Sequence, residues 1–234
     1  MRCYYLQNRT PKKKFLAVLG SVKPMVKQLA LGTAFLVFAV LPSKLGATPA
    51  TDAPAYTKDG SLVAPADYRE WIFLTSGIDM NYAAAAPGAP PPAHSAFDNV
   101  FVNPASYRSF VTTGTWPDQT TFVLEVRGAD DPVSINKRGH TQSIEIRGTE
   151  IHVKDKGKWS FYDLKGKEPA AQFIPPGASC YTCHEGHGAV DTTFVQFYPT
   201  LLPLAQQKRT LSPEYLKEQP MPSTPNPPLT AANN

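Results

Sequence analysis

The sequence predicts an α+β fold, mainly an antiparallel β-sheet with a few helices. Short strand-forming runs follow one another closely through the middle of the chain, with turn residues between them. The clearest run, Thr120 to Val126, alternates: Phe122, Leu124 and Val126 fall on one face, Val123 and Glu125 on the other. Helix signals are few, and the 24 prolines gather in stretches that interrupt regular structure.

Residues 1–47 read as a signal peptide. They carry eight Lys or Arg and no acid, and the basic start leads into a 13-residue apolar run, Leu29 to Leu41. A basic start, an apolar run and then small residues make up a secretory signal. Ala47 and Ala50 suit cleavage, and a signal of ordinary length also begins at Met25, a possible true start. The run is shorter than the roughly 20 residues a membrane-spanning helix needs, so cleavage and a periplasmic location are expected rather than an anchor. Without that segment 15 basic residues face 19 acidic ones, and the net charge turns from +4 to −4. The overall basic balance is therefore no sign of nucleic-acid binding.

Residues 48–66, rich in Ala, Pro and Thr, read as a linker. A folded domain is expected over 67–204. It opens with a helix or turn at 67–71 and a strand at 71–74. Residues 83–93 are low-complexity and predict a surface loop. A strand follows at 97–102 and a short helix at 104–111, with Pro104 near its start. Gly114 and Pro117-Asp118 make turns. After the strand at 120–126, two more are expected at 143–146 and 150–154, around Arg147-Gly148-Thr149, and another at 159–164. Phe194, Phe197 and Tyr198 mark a packed aromatic segment. Residues 205–234 read as a Pro-rich, disordered tail.

The chemistry sits in Cys180-Tyr181-Thr182-Cys183-His184. C-x-x-C-H is the attachment signature of c-type haem. Two thiols at this spacing can reach the two vinyl groups of one porphyrin, and the following imidazole can take an axial iron position. The pattern predicts one covalent haem c on Cys180 and Cys183, with His184 on the iron. A structural disulfide remains an alternative in an oxidising compartment. A thioredoxin-like pair expects a βαβ context that is not visible, and His94, His140, His152 and His187 form no second ligand pair for zinc.

Around this motif the chain resembles the cytochrome P-460 family, including the cytochromes c-prime-beta. The likeness is carried by Asp67-Tyr68-Arg69-Glu70-Trp71, by Phe97 to Tyr107, by Thr113 to Asp118, by Val153-Lys154-Asp155, by Trp159 to Tyr162, by Cys180 to His184 and by Phe197-Tyr198-Pro199. The resemblance implies a mainly antiparallel fold, a homodimer and a high-spin haem with an open distal side. In the catalytic members a lysine bonds to the porphyrin and the enzyme oxidises hydroxylamine. The matching position here is Leu124, and the next lysine downstream is Lys137 in a loop. That departure moves the chain toward the c-prime-beta side, whose members bind nitric oxide or carbon monoxide.

Three readings follow. The first is a periplasmic cytochrome that binds a small gas such as NO or passes electrons to a redox partner. If Leu124 faces the haem, Phe122 and Val126 share its side and make an apolar distal pocket that offers no base. The second is a hydroxylamine-oxidising enzyme, with Asp98, Glu125, Glu145 or Glu150 as bases by residue type alone. The third is electron transfer through a six-coordinate haem, with Met80, His140 or His152 as second ligand. His187 lies too close to His184 in the chain to cross to the far face. Trp71, Trp116 and Trp159 read as packing, and Lys154, Lys156 and Lys158 as a solvated turn.

Overall fold

A computed structural model describes residues 53–82, 88, 94–166 and 168–218. The expected signal peptide lies outside the described residues, as do most of the 83–93 loop and the last residues of the tail.

Seven strands form one sheet: β1 (Leu62–Val63), β2 (Ile72–Ile78), β3 (Ala96–Val102), β4 (Thr121–Asp130), β5 (Thr141–Asp155), β6 (Lys158–Leu164) and β7 (Ala170–Ile174). Their order across the sheet is β1-β7-β6-β5-β4-β3-β2, and every pairing is antiparallel. Helix α1 (Pro104–Thr113) connects β3 to β4, while α2 (Ser179–His187), α3 (Leu202–Lys208) and α4 (Pro213–Glu218) follow the sheet. This is the mainly β, α+β fold that the sequence predicts.

The differences have local causes. The two strands expected at 143–146 and 150–154 are one, β5. Arg147-Gly148-Thr149 does not turn the chain; the irregularity is absorbed by shifts in the β4–β5 register at Val126, Arg127 and Ala129. The linker's far end is structured, because Leu62 pairs with Ala171 and is 1% exposed. The first part of the expected tail is helical instead: α3 and α4 occupy 202–208 and 213–218, and Ala205 and Tyr215 are buried in the core. Proline there opens helices, at the second residue of α3 and the first of α4, where its missing N–H costs nothing.

Strand alternation gives the sheet two different faces. On one, Phe122 joins Leu74, Val102, Phe110 and Trp116 beneath the helices. On the other, Val123 packs with Leu62, Trp71, Ile151, Val153 and Tyr162. Glu125 belongs to this second face and is 1% exposed. Tyr68 O–H and the Arg69 guanidinium both donate to its carboxylate, as does Arg127. Burial works to raise the Glu125 pKa, but the bonds from Arg127 and Tyr68 and the two guanidinium charges outweigh it and hold the carboxyl below its ordinary value.

A group depressed in this way stabilises the fold fully above its unfolded pKa, and that contribution is lost as pH falls through the folded value. Glu125→Gln should cost about 3 kcal/mol at neutral pH, because two guanidinium groups lose their counter-charge. It should also flatten the acid side of the stability curve. Urea denaturation of both proteins from about pH 3 to 7 measures both effects.

Candidate haem site

The cysteine motif becomes the helix α2. Ala178 N–H bonds the Pro175 carbonyl at 2.9 Å, so Pro175-Pro176-Gly177 turns the chain into the helix. On α2, Cys180, Cys183 and His184 stand at i, i+3 and i+4 and share one side. Both thiols are free; Cys180 is buried and Cys183 is half-buried. The disulfide alternative therefore receives no support here.

Tyr181, a spacer residue by sequence, anchors the helix to the sheet. Its ring stacks on Phe161 of β6 at 4.4 Å. Its hydroxyl accepts the Phe161 N–H at 3.1 Å and donates to the Ile174 carbonyl of β7 at 2.9 Å. This places α2 against the middle of β6 and the end of β7.

His184 lies against that face. Its ring centre is 4.2 Å from Phe194, 4.7 Å from Phe161 and 5.1 Å from His152. Nδ1 sits 2.9 Å from the Thr192 carbonyl oxygen. A carbonyl can only accept, so Nδ1 carries the proton and Nε2 keeps its lone pair. Burial, followed by the neighbouring His152, pushes the imidazole pKa down to about 3, and the ring is neutral at ordinary pH.

Beside Cys183 opens a cavity of about 590 Å³, walled by Tyr82, His187, Phe194, Phe197 and Glu218 among others. Tyr82 leans on Phe194 and Phe197, with ring centres 5.8 and 6.1 Å apart. Burial and the nearby Asp98, Cys183 and Glu150 raise its phenol to about 12, so it remains a hydrogen-bond donor. His187 does not reach across anything; it bonds Glu218 of α4 at the cavity rim.

Phe122, Leu124 and Val126 do share the sheet face that carries His152, but none of them is among the cavity's lining residues. Phe122 is core, within 4.9 Å of Trp116, 5.6 Å of Trp159 and 6.1 Å of Tyr198. Val126 is buried opposite Asp98 and Gly148. Leu124 lies between Val100 and Glu150.

This register corrects the expectation of a face without bases. Glu150 is the cross-strand neighbour of Leu124, and Asp163 of β6 is paired with Glu150 in turn. Burial and the Glu150 charge raise Asp163 above its ordinary value. His152 Nε2 is 3.8 Å from the Glu150 carboxylate. The other carboxylates separate: Asp98 is on this face, Glu125 is on the opposite one, and Glu145 is exposed beside Arg147. A second correction concerns Lys154, read above as solvated. It is 13% exposed, pairs with Asp191 and donates to the Trp116 carbonyl at 2.8 Å.

The sequence reading missed Tyr82 and Thr192. Tyr82 sits beside low-complexity sequence that drew no attention. Thr192 acts through its backbone carbonyl, which leaves no trace in residue type.

Tyr181→Phe should cost about 1–2 kcal/mol, because the Phe161 N–H and the Ile174 carbonyl both lose a partner at a part-buried position. Chemical denaturation of the holoprotein measures it, and a change within error would mean the helix is held by stacking alone.

The sequence model of one protein family, described as Cytochrome P460, matches residues 65–195. No curated protein matches the chain. The match spans more than half of the sequence and takes in β2 to β7, α1, α2 and the turn that holds His184. With its antiparallel sheet and its motif helix, the chain belongs to the cytochrome P460 family and is a haem cytochrome.

Proposed function

We propose that this protein is an exported, periplasmic mono-haem c-type cytochrome that binds a small neutral ligand such as nitric oxide on an open iron site, with electron exchange through a periplasmic partner. The observation that carries the reading is His184. Its Nδ1 proton is committed to Thr192, its Nε2 is left as a neutral donor, and two free thiols share its helix. Metal-binding histidines are held in this way, by a carbonyl or carboxylate on the other ring nitrogen.

The residues suit a covalent haem. Cys180 and Cys183 would hold the ring by thioether bonds, and His184 would take the proximal iron position. Phe194 and Phe197 supply apolar walls beside Cys183. On the same sheet face the buried indole N–H of Trp159 has no acceptor among the described residues, the kind of donor that suits a haem carboxylate. Once bound, the haem supplies an iron site for a diatomic ligand and a one-electron couple.

Three candidates for a second iron ligand lose ground. The Met80 thioether packs against Gly77 on edge strand β2, whereas the sheet residues touching His184 lie on β5 and β6. His140 sits by Asp131, next to where Asp130 pairs with Thr141, roughly 25 Å along β4 from the Phe122–His152 pair. The His152 ring touches the His184 ring itself, which leaves no room for a macrocycle between them. A homodimer is part of the same proposal and rests on the family resemblance.

A second reading, oxidation of hydroxylamine, is favoured by one observation: Glu150 and Asp163 supply carboxylates on the site's face. Against it, Leu124 stands at the position of the cross-linking lysine, and Lys137 bonds the Ser134 carbonyl in an exposed loop.

Haem staining of a denaturing gel should be positive for the wild type and lost in Cys180→Ala with Cys183→Ala; haem that stays covalent in the double variant overturns the attachment. Ferric protein should give a high-spin electron paramagnetic resonance signal and the ferrous form should bind NO. A purely low-spin spectrum, or rapid hydroxylamine turnover with an artificial acceptor, would favour the competing readings.

A further inference from the structure

Thr192 holds His184 from an unusual piece of backbone. Val190 and Thr193 form a two-residue reversal, with Thr193 N–H bonded to the Val190 carbonyl at 2.8 Å. Its two central residues, Asp191 and Thr192, have φ of 49° and 57°. A turn with φ positive at both centres ordinarily takes Asn-Gly or Asp-Gly. A β-branched threonine in the left-handed region is strained, and such a residue persists only where its surroundings over-determine it.

Those surroundings are visible. Lys154, on β5 two residues from His152, reaches the Asp191 carboxylate and also the Trp116 carbonyl. The pair is mostly shielded, with side chains 13% and 28% exposed. Trp116 Nε1–H donates to Thr193 Oγ1 at 2.9 Å, and that hydroxyl donates to the Val190 carbonyl at 2.6 Å. On the other side Gly188, which ends α2, lets the turn close in. A Cβ there would stand 2.5 Å from the Thr192 carbonyl carbon and 2.7 Å from its Cα, both backbone atoms that cannot swing away.

We propose that Lys154 and Asp191 are positioning residues for the axial histidine. Their ion pair clamps the Asp191-Thr192 turn to the sheet, so that the Thr192 carbonyl keeps its bond to His184 Nδ1–H and tunes how strongly the imidazole donates to iron. The inference rests on the proposed role of His184 as axial ligand. Gly188 is the steric half of the device and Lys154–Asp191 the electrostatic half. A firm Nδ1–H bond gives the imidazole more anionic character, strengthens the iron–histidine bond and favours the ferric state. Loosening the turn does the reverse.

The test uses the purified holoprotein and the variants Lys154→Met, Asp191→Asn, Gly188→Ala and Lys154→Arg. Asn tolerates the left-handed region as Asp does, so Asp191→Asn removes charge without adding backbone strain. Two readouts are taken: the iron–histidine stretch in the resonance Raman spectrum of the ferrous protein, and the midpoint potential. Lys154→Met, Asp191→Asn and Gly188→Ala are expected to lower the stretching frequency and raise the potential, while Lys154→Arg keeps both near wild type. The potential separates this from simple charge effects. Through space, removing a cation lowers a haem potential and removing an anion raises it, so Lys154→Met and Asp191→Asn would then move in opposite directions. Opposite shifts, or an unmoved stretch in all variants, overturn the clamp and leave the axial role of His184 standing. A wild-type ferrous protein that stains for covalent haem but lacks the iron–histidine band overturns the five-coordinate His184 reading, and the clamp with it.

Discussion

The contact between the Thr192 carbonyl and His184 Nδ1–H is one hydrogen bond of 2.9 Å, yet much of the site depends on it. It selects the tautomer, sets the direction of Nε2 and ties the end of α2 to the turn that follows. The bond needs Gly188 for closeness, a strained turn for direction and the sheet beneath for support. Remove any of these and the imidazole becomes an ordinary half-buried ring. The costs are distributed: positive φ at Asp191 and Thr192 is held by Lys154, Trp116 and Thr193.

The sheet contributes through its two faces. One carries the polar network of Glu125, Tyr68, Arg69 and Arg127, which holds the short helical turn at 68–70 to the middle of the sheet. The other receives α2 and presents His152, Phe161, Glu150 and Asp163 near it. A one-residue slip of β4 would turn its side chains over and bring Glu125 onto the face that carries Glu150. The separation of a structural carboxylate from a site carboxylate is therefore a matter of register, and the irregularities in β4–β5 pairing lie just beyond Val126, past the part of β4 that faces the site.

Much of the fold was legible. The alternation of Phe122, Val123, Leu124, Glu125 and Val126 marks a strand with two buried faces, and its assignment survives because both faces find cores. Helix α1 was legible from Pro104 at its start, and Gly114, with φ of 78°, ends it in the left-handed cap that glycine favours. Strand β7 was missed because Ala170 to Ile174 lies among prolines and has no alternation of its own; pairing with β6 and β1 makes it a strand. The helices after 202 were missed for the same reason, since Ala205 and Tyr215 become core residues only by joining a cluster that includes Phe110, Trp116, Val195 and Tyr198.

By itself the sequence determined the chemistry of the motif: two thiols and an imidazole at fixed spacing, a β-rich frame and membership of the cytochrome P460 family. Covalent spacing and residue type are local properties, and they are written in order along the chain. Only the tertiary structure decided which nitrogen of His184 is free, which carboxylates share its face, and that Lys154 is paired with Asp191 and not part of a solvated turn. Those are contacts between residues 8 to 38 positions apart, two of them made by main-chain carbonyls. A carbonyl is the same in every residue, so its role follows from where the fold carries it and from nothing in the side chain's name.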